Sequence, residues 1–154
     1  INDSFHPDNS HVISALMNRF HKAKMDNDAK VTVWGTGNVM REFLYVDDMA
    51  EALIHILKIS KSIYAECTKP MVSHINIGSG KDITIKKMAE IMKKVVGFKG
   101  SIVFDASKPD GVARKLTDTT KLNNIGWTHS IDLEEGLEMT YKWFIESESI
   151  KKSL

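Results

Sequence analysis

Apolar residues along this chain fall into alternating stretches of helical and strand-like rhythm. Val12, Leu16 and Phe20 recur at four-residue spacing, which predicts a helix from Ser10, a good N-cap, to about Lys24. The polar run MDNDAK ends it, and VTVW and EFLYV follow as two short strands by their β-branched and aromatic content. Asp47 is then placed as the cap of a helix MAEALIHILKIS, with Leu53, Ile56 and Leu57 on one face. After a loop through Pro70, HINIGSG is expected as a third strand. Thr84 should cap a helix IKKMAEIMKKVV that Gly97 closes. SIVFDA predicts a fourth strand, SKPDGVARK a polar loop and TTKLNNIG a short helix. Asp132 and Glu135 make a capping-box-like start for a last helix through Phe144 and Ile145, and the tail KKSL is expected to fray. Residues 1–9 are turn-rich and expected to be irregular.

Strands alternating with helices predict an α/β fold with a partly parallel sheet. Four strands this short do not readily close a self-contained sheet. The chain also opens on Ile1 in a polar stretch. It is therefore read as a piece of a longer protein.

Composition narrows the chemistry. At 154 residues the chain can bury one core, and 42% hydrophobic with 27% charged residues is a globular balance. A formal charge of +1 provides no bulk field for nucleic acid or an anionic membrane, so any functional cations act locally. Cys67 is the single cysteine, which excludes a disulfide framework and a cysteine-based metal cluster and suits a reducing cytoplasm. The six histidines (6, 11, 21, 55, 74 and 129) show no metal-ligand spacing, and no run is long and apolar enough for a membrane span.

Two glycine turns invite a dinucleotide reading, and both fall short of it. WGTGNVMRE has no helix after it. NIGSGKDIT has a strand before and a helix after, but Asp82 or Ile83 stands where the third glycine belongs. Both read as tight turns. Around them lie candidate ligand groups. Arg19, Arg41 and Lys115 could each meet a phosphate, or each be a surface charge. Trp34 could belong to a core or form a platform for a planar base. Asp110 is a turn residue of Pro-Asp-Gly that could accept from a sugar or a guanine. His11, at a first helical turn, is either an exposed or helix-capping histidine or a general acid.

Four stretches carry a family resemblance: FHPDNSHVISALMNRFHKA, VWGTGNVMREFLYVDDMA, SHINIGSG and VFDASKPDGVARKL. They resemble the C-terminal part of the GDP-L-fucose synthase (GDP-4-keto-6-deoxy-mannose 3,5-epimerase-4-reductase) family of extended short-chain dehydrogenase/reductases. The similarity runs through essentially the whole chain, with Ala113 where the family often has proline. REFLYVDD is shared across the superfamily, whereas DNSHV and FDASKPDGVARK are far more specific.

The resemblance implies two parts, an N-terminal Rossmann part that binds NADP and a smaller α/β part that binds the GDP-sugar. Only the latter would lie here. It implies that Arg19, Trp34 and Arg41 hold the GDP-sugar, with Trp34 near the nucleotide end, and that Asp110 and Lys115 also touch substrate. It implies that His11 is the acid opposite a cysteine base and lies near the nicotinamide cofactor. Cys67 does not match that cysteine. The family's Tyr-x-x-x-Lys pair does not occur in this chain, so the chain alone is expected to be inactive. The resemblance further implies a cytoplasmic homodimer for the whole enzyme. A related GDP-4-keto-6-deoxy-heptose epimerase/reductase and a non-catalytic nucleotide-sugar-binding domain are the competing readings.

Overall fold

The computed structural model describes residues 3–6 and 10–153, with residues 148–153 as helix backbone only. The chain divides into two compact units, each made of discontinuous segments. The first comprises Ile1–Val39, Ile83–Ala113 and Glu134–Leu154; the second comprises Met40–Asp82 and Arg114–Leu133.

The first unit pairs strands β1 (Lys30–Trp34) and β4 (Ser101–Asp105) in parallel, from Lys30 opposite Ser101 to Trp34 opposite Asp105. Val31 and Val33 are buried while Lys30, Thr32 and Trp34 point outward, the alternation a strand with one covered face must show. Helices α1 (Val12–Met25) and α4 (Ile85–Val96) pack on each other, and α1 also packs on β1. Leu16, Met17 and Phe20 of α1 and Met88, Ala89, Met92 and Val96 of α4 are buried. Phe20 meets Phe98 edge-on at 5.7 Å between ring centres. Thr84 caps α4, its hydroxyl accepting from the Lys87 amide at 3.1 Å. Gly97 closes it at φ +74, a left-handed position that favours glycine, and Lys24 Nζ donates to the Val96 carbonyl. Helix α6 (Leu133–Ser153) contributes buried Leu137, Tyr141 and Phe144 and runs on through Lys151 and Lys152 of the tail expected to fray; Leu154 lies outside the described residues.

The second unit pairs β2 (Met40–Glu42) and β5 (Arg114–Lys115) in parallel and adds helices α2 (Val46–Lys58), α3 (Lys61–Cys67) and α5 (Thr120–Asn124). Its core is Ala52, Leu122 and Trp127, with Leu44, Ile56, Ile75, Ile77 and Ile125 packed around them. The strand β3 (Asp82–Thr84) begins at the last residue of this unit's first segment.

The parallel α/β reading holds, and several local expectations are corrected. His11, not Ser10, is the N-cap of α1, because the Ser10 hydroxyl donates to the His6 carbonyl and is engaged there. Val12 is exposed. EFLYV is not a strand: after Glu42 the chain leaves the sheet, Leu44 enters the second core, and α2 starts at Val46 with Tyr45 as N-cap. Asp47 therefore lies inside the first turn, and Leu53 and Leu57 face outward while Ile56 packs inward. HINIGSG is irregular. Ile75 and Ile77 do alternate into the core, but the Gly80 amide donates to Glu42 rather than to a ladder, and the short strand comes later, at β3.

Candidate functional site

Alternation along β1 sets Trp34 on the outward face, where it is 52% exposed. The Arg19 guanidinium carbon lies 4.7 Å from the centre of its ring and Lys108 Nζ lies 5.7 Å from it. A cation over a half-exposed indole is worth about 0.5–1 kcal/mol, enough to orient two long side chains but not to neutralise them. Two positive groups on one ring could be complemented by a bound anion. Asp105 accepts from the Ser107 amide and hydroxyl, at 3.1 and 2.6 Å, which with Lys108 holds its carboxyl below the usual range.

Asp110 latches the turn after Trp34. The Thr36 amide donates to Oδ1 and the Thr36 hydroxyl to Oδ2, both at 2.7 Å. Gly35 sits at φ +83 against that carboxylate, and a Cβ there would lie 2.3 Å from Asp110 Oδ1. So Asp110 fixes the direction in which Trp34 leaves the strand.

His11 stands at the start of α1 with its side chain 88% exposed, and its Nδ1 lies 3.3 and 3.4 Å from the two carboxylate oxygens of Asp3. Burial pushes the Asp3 carboxyl up, but hydrogen bonds from Ser14, the Ser4 amide and His11 outweigh it and hold it below the usual range.

In the second unit, Arg41 and Lys115 are register partners on neighbouring parallel strands, so the two residues stand side by side in the sheet. Arg41 is half-buried and donates through Nη1 to the Met40 carbonyl at 2.6 Å; Lys115 is exposed. Glu42 ties this corner together. Its carboxylate accepts from the Gly80 amide and the Thr117 amide, both at 2.7 Å, and from the Ser79 hydroxyl at 3.4 Å. Arg114 is held by Asp82 through two nitrogens, which lowers the Asp82 carboxyl and raises the guanidinium. Of the two cations in β5, then, Arg114 is a structural partner and Lys115 projects to solvent.

The structure thus brings Arg19 and Trp34 together, seats Asp110 under the turn that carries Trp34, and sets Arg41 beside Lys115. Lys108, Asp3 and Glu42 are contacts the sequence reading missed. Lys108 is separated from Trp34 by 74 positions, and no local pattern signals such a meeting. The glycines of the two turns lie against the chain's own side chains, which a Cβ would meet: Asp110 at Gly35, Phe104 at Gly37, Glu42 at Gly78 and Thr119 at Gly80. Among the described residues no group of three or more His, Cys, Asp or Glu is placed to hold a metal ion, and no helix is long and apolar enough to cross a membrane.

Comparison with known proteins gives this geometry a context. The chain is 56% identical over 146 residues to the GDP-L-fucose synthase of Escherichia coli (strain K12), covering 95% of this chain and 46% of that enzyme. Its fold is similar to a GDP-6-OMe-4-keto-L-xylo-heptose reductase from C. jejuni, with a TM-score of 0.82 and 32% identity over 94% of this chain and 50% of that one. A GDP-L-fucose synthetase from Naegleria fowleri bound to NADP gives a TM-score of 0.81 at 25% identity, over 96% of this chain and 44% of that one. The chain spans about half the length of the relatives it matches. The α/β fold is that of the Rossmann-like extended short-chain dehydrogenase/reductases. Residues 2–78, half of the sequence and the half that carries His11, Arg19, Trp34 and Arg41, match the family model, and the chain belongs to the NAD dependent epimerase/dehydratase family.

Proposed function

We propose that residues 1–154 form the C-terminal, GDP-sugar-binding region of an enzyme that converts GDP-4-keto-6-deoxy-D-mannose to GDP-L-fucose, by epimerisation at C3 and C5 and NADPH-dependent reduction at C4. The observation that carries this reading is the pair of cations on the exposed, latched Trp34. An aromatic ring beside concentrated positive charge suits a nucleoside diphosphate. The similarity to GDP-L-fucose synthase supports GDP as that nucleotide.

In this reading Arg19 donates to phosphate oxygens from its seat on Trp34, and Asp110 keeps the turn in place while adding acceptor capacity toward the nucleotide or sugar. Arg41 and Lys115, side by side, are a second phosphate-binding pair. His11 carries a proton on Nε2 and gives it to the sugar carbon on the face away from the base, the C4 ketone having acidified the C3 and C5 positions. Phosphate contacts hold one end of the substrate while the ring is worked on. The NADP of such an enzyme belongs to segments other than the glycine turns of this chain, and the Tyr-x-x-x-Lys pair likewise lies outside it. A cytoplasmic homodimer is part of the same reading.

A second reading keeps the nucleotide and changes the sugar. The likeness to the C. jejuni heptose reductase favours a GDP-4-keto-heptose.

Titration of GDP into the chain tests the nucleotide assignment. Arg19→Ala and Arg41→Ala are each expected to cost about 2–4 kcal/mol of binding, the range for removing one partner of a desolvated charge pair. Arg41→Lys should recover only part of it, because an ammonium lacks the planar fork. Unchanged GDP affinity in both alanine variants would return these arginines to the class of solvated surface charges. Turnover of the two ketosugars by the whole enzyme then chooses between the sugars.

A further inference from the structure

The carboxylate beside His11 is not part of the reading above, and its surroundings are more constrained than a chance surface contact. Asp3 lies in the irregular segment before α1, eight residues from His11, yet both of its oxygens are committed. The Ser4 amide donates to Oδ1 at 2.8 Å and the Ser14 hydroxyl donates to Oδ2 at 2.9 Å. Ser14 is itself buried, at 2% exposure, and its hydroxyl also lies 3.1 Å from the His11 carbonyl. That carbonyl accepts the Ala15 amide at 2.8 Å, the first bond of the helix. One buried hydroxyl on the first turn therefore fixes both the carboxylate and the backbone that bears the imidazole. Asn18, one turn further on, donates to the Phe5 carbonyl at 2.5 Å, and the Phe5 ring lies 4.8 Å from that of Phe144. The segment bearing Asp3 is thus pinned on both sides of Ser4.

We propose that Asp3 is the positioning residue for His11: its carboxylate, held by Ser14 and the Ser4 amide, accepts from Nδ1–H and so commits Nε2 to carrying the proton that is transferred. The inference rests on the reading of His11 as the acid. The two ring nitrogens of a histidine are distinct, and the hydrogen bond made by one decides the task of the other. In the charged ring both nitrogens carry protons. When the proton on Nε2 leaves for the substrate carbon, the N–H bonding pair stays on Nε2 and the ring becomes the neutral Nδ1–H tautomer. Asp3 accepts the same hydrogen bond before and after, so the ring does not have to turn during the transfer. Without such a partner an imidazole this exposed rotates freely about χ1 and χ2.

The test reads the ring directly, in the 154-residue chain. Long-range ¹H–¹⁵N spectra of the histidine side chains, assigned to His11 by its loss in His11→Asn, report the tautomer of the neutral ring. Wild type should show Nδ1–H as the main form. Asp3→Ala and Ser14→Ala should shift it towards Nε2–H, with the backbone amide spectrum otherwise kept. Asp3→Asn, which retains an acceptor oxygen, should lie between. A neutral His11 that is mainly Nε2–H in wild type, or a tautomer ratio that Asp3→Ala does not change, overturns the proposal. A separate arm measures solvent-deuterium incorporation at C3 and C5 by the whole enzyme. Loss in His11→Asn with a several-fold reduction in Asp3→Ala supports the positioning role. Wild-type incorporation in His11→Asn instead removes the acid reading itself, and with it the need for a positioning residue, even where the tautomer shift is seen.

Discussion

Helices α4 and α2 carry equally regular apolar stripes and present them in opposite ways. In α4 the stripe Ile85, Met88, Ala89, Met92 and Val96 is buried. In α2 the stripe Val46, Met49, Leu53 and Leu57 is exposed, with Leu57 at 85%, and the face turned inward is Asp48, Ala52 and Ile56. Periodicity identifies which residues share a face, but not which face meets a partner. In α2 a carboxylate decides. Asp48 is 1% exposed and accepts from the Ser130 amide, the Ser130 hydroxyl and the Ile131 amide, at 3.1, 2.8 and 3.0 Å. Turning the helix to bury Leu53 and Leu57 would gain roughly 1.5–3 kcal/mol for each side chain. It would also strip three donors from a carboxylate already out of water, and leaving a buried charge unpaired costs more than that.

The largest effect expected from this contrast is in α4. Met92 is fully buried, so Met92→Ala should lower the unfolding free energy by about 2–5 kcal/mol, as other large-to-small core changes do. Its counterpart Met49→Ala, on the exposed stripe, should change it by about 0.5 kcal/mol or less. Urea unfolding of the two variants compares them directly. Equal losses would mean that the α2 stripe is covered in solution.

The anchor of α2 comes second. Asp48→Ala leaves the donors of Ser130 and Ile131 without their acceptor, and about 1–3 kcal/mol of stability should be lost. The pH dependence has a definite sign. Burial raises the Asp48 carboxyl, but the Ile131 and Ser130 hydrogen bonds and the charge of His129 outweigh it, so its folded value is depressed below the ordinary carboxylate value. Such a group contributes stability above its unfolded value of about 3.9, and the contribution is lost as pH falls through the lower folded value. Wild type should therefore lose more stability than Asp48→Asn between pH 5 and pH 2. Parallel curves for the two proteins would remove Asp48 as an acid-sensitive anchor.

What the sequence revealed and what it hid follow from the same contrast. The cap at Thr84, the glycine stop at Gly97, the strand before Trp34 and the parallel α/β class rest on signals within a few residues of each other, and all are present. The single face expected for Leu53, Ile56 and Leu57 is split because the partner that sets the helix rotation, Ser130–Ile131, lies more than eighty positions away. The strand β5 was hidden in a polar loop for the same reason, since its only strand-like property is its pairing with β2. In the candidate site, Arg19, Trp34, Arg41, Asp110 and Lys115 were nameable through motif resemblance. Spacing alone left the three cations as surface charges, Asp110 as a turn residue and Trp34 as equally a core residue or a platform. Lys108 on Trp34 and Asp3 on His11 are contacts that motif reading did not name and that only the folded chain reveals.

The smallest expected effect is the most telling about the exposed stripe of α2. Leu53 and Leu57 lie one turn apart on the outward side, so Leu53→Lys with Leu57→Lys removes apolar surface that is largely in water already. Lysine has a good helix propensity and its charge near the C-terminal end of the helix interacts favourably with the carbonyls there. The double variant should thus unfold within about 0.5 kcal/mol of wild type, while a contiguous apolar patch is interrupted and any self-association through it falls. Urea unfolding at two protein concentrations, with sedimentation of both proteins, measures the two quantities together. A loss of more than about 1 kcal/mol in the variant, accompanied by concentration-dependent unfolding of wild type, would show that a second copy covers the stripe and that its stability is partly that of an assembly. Unchanged unfolding with unchanged sedimentation would leave α2 as a helix whose rotation is set by one buried carboxylate, with its leucines contributing nothing to the fold of this chain.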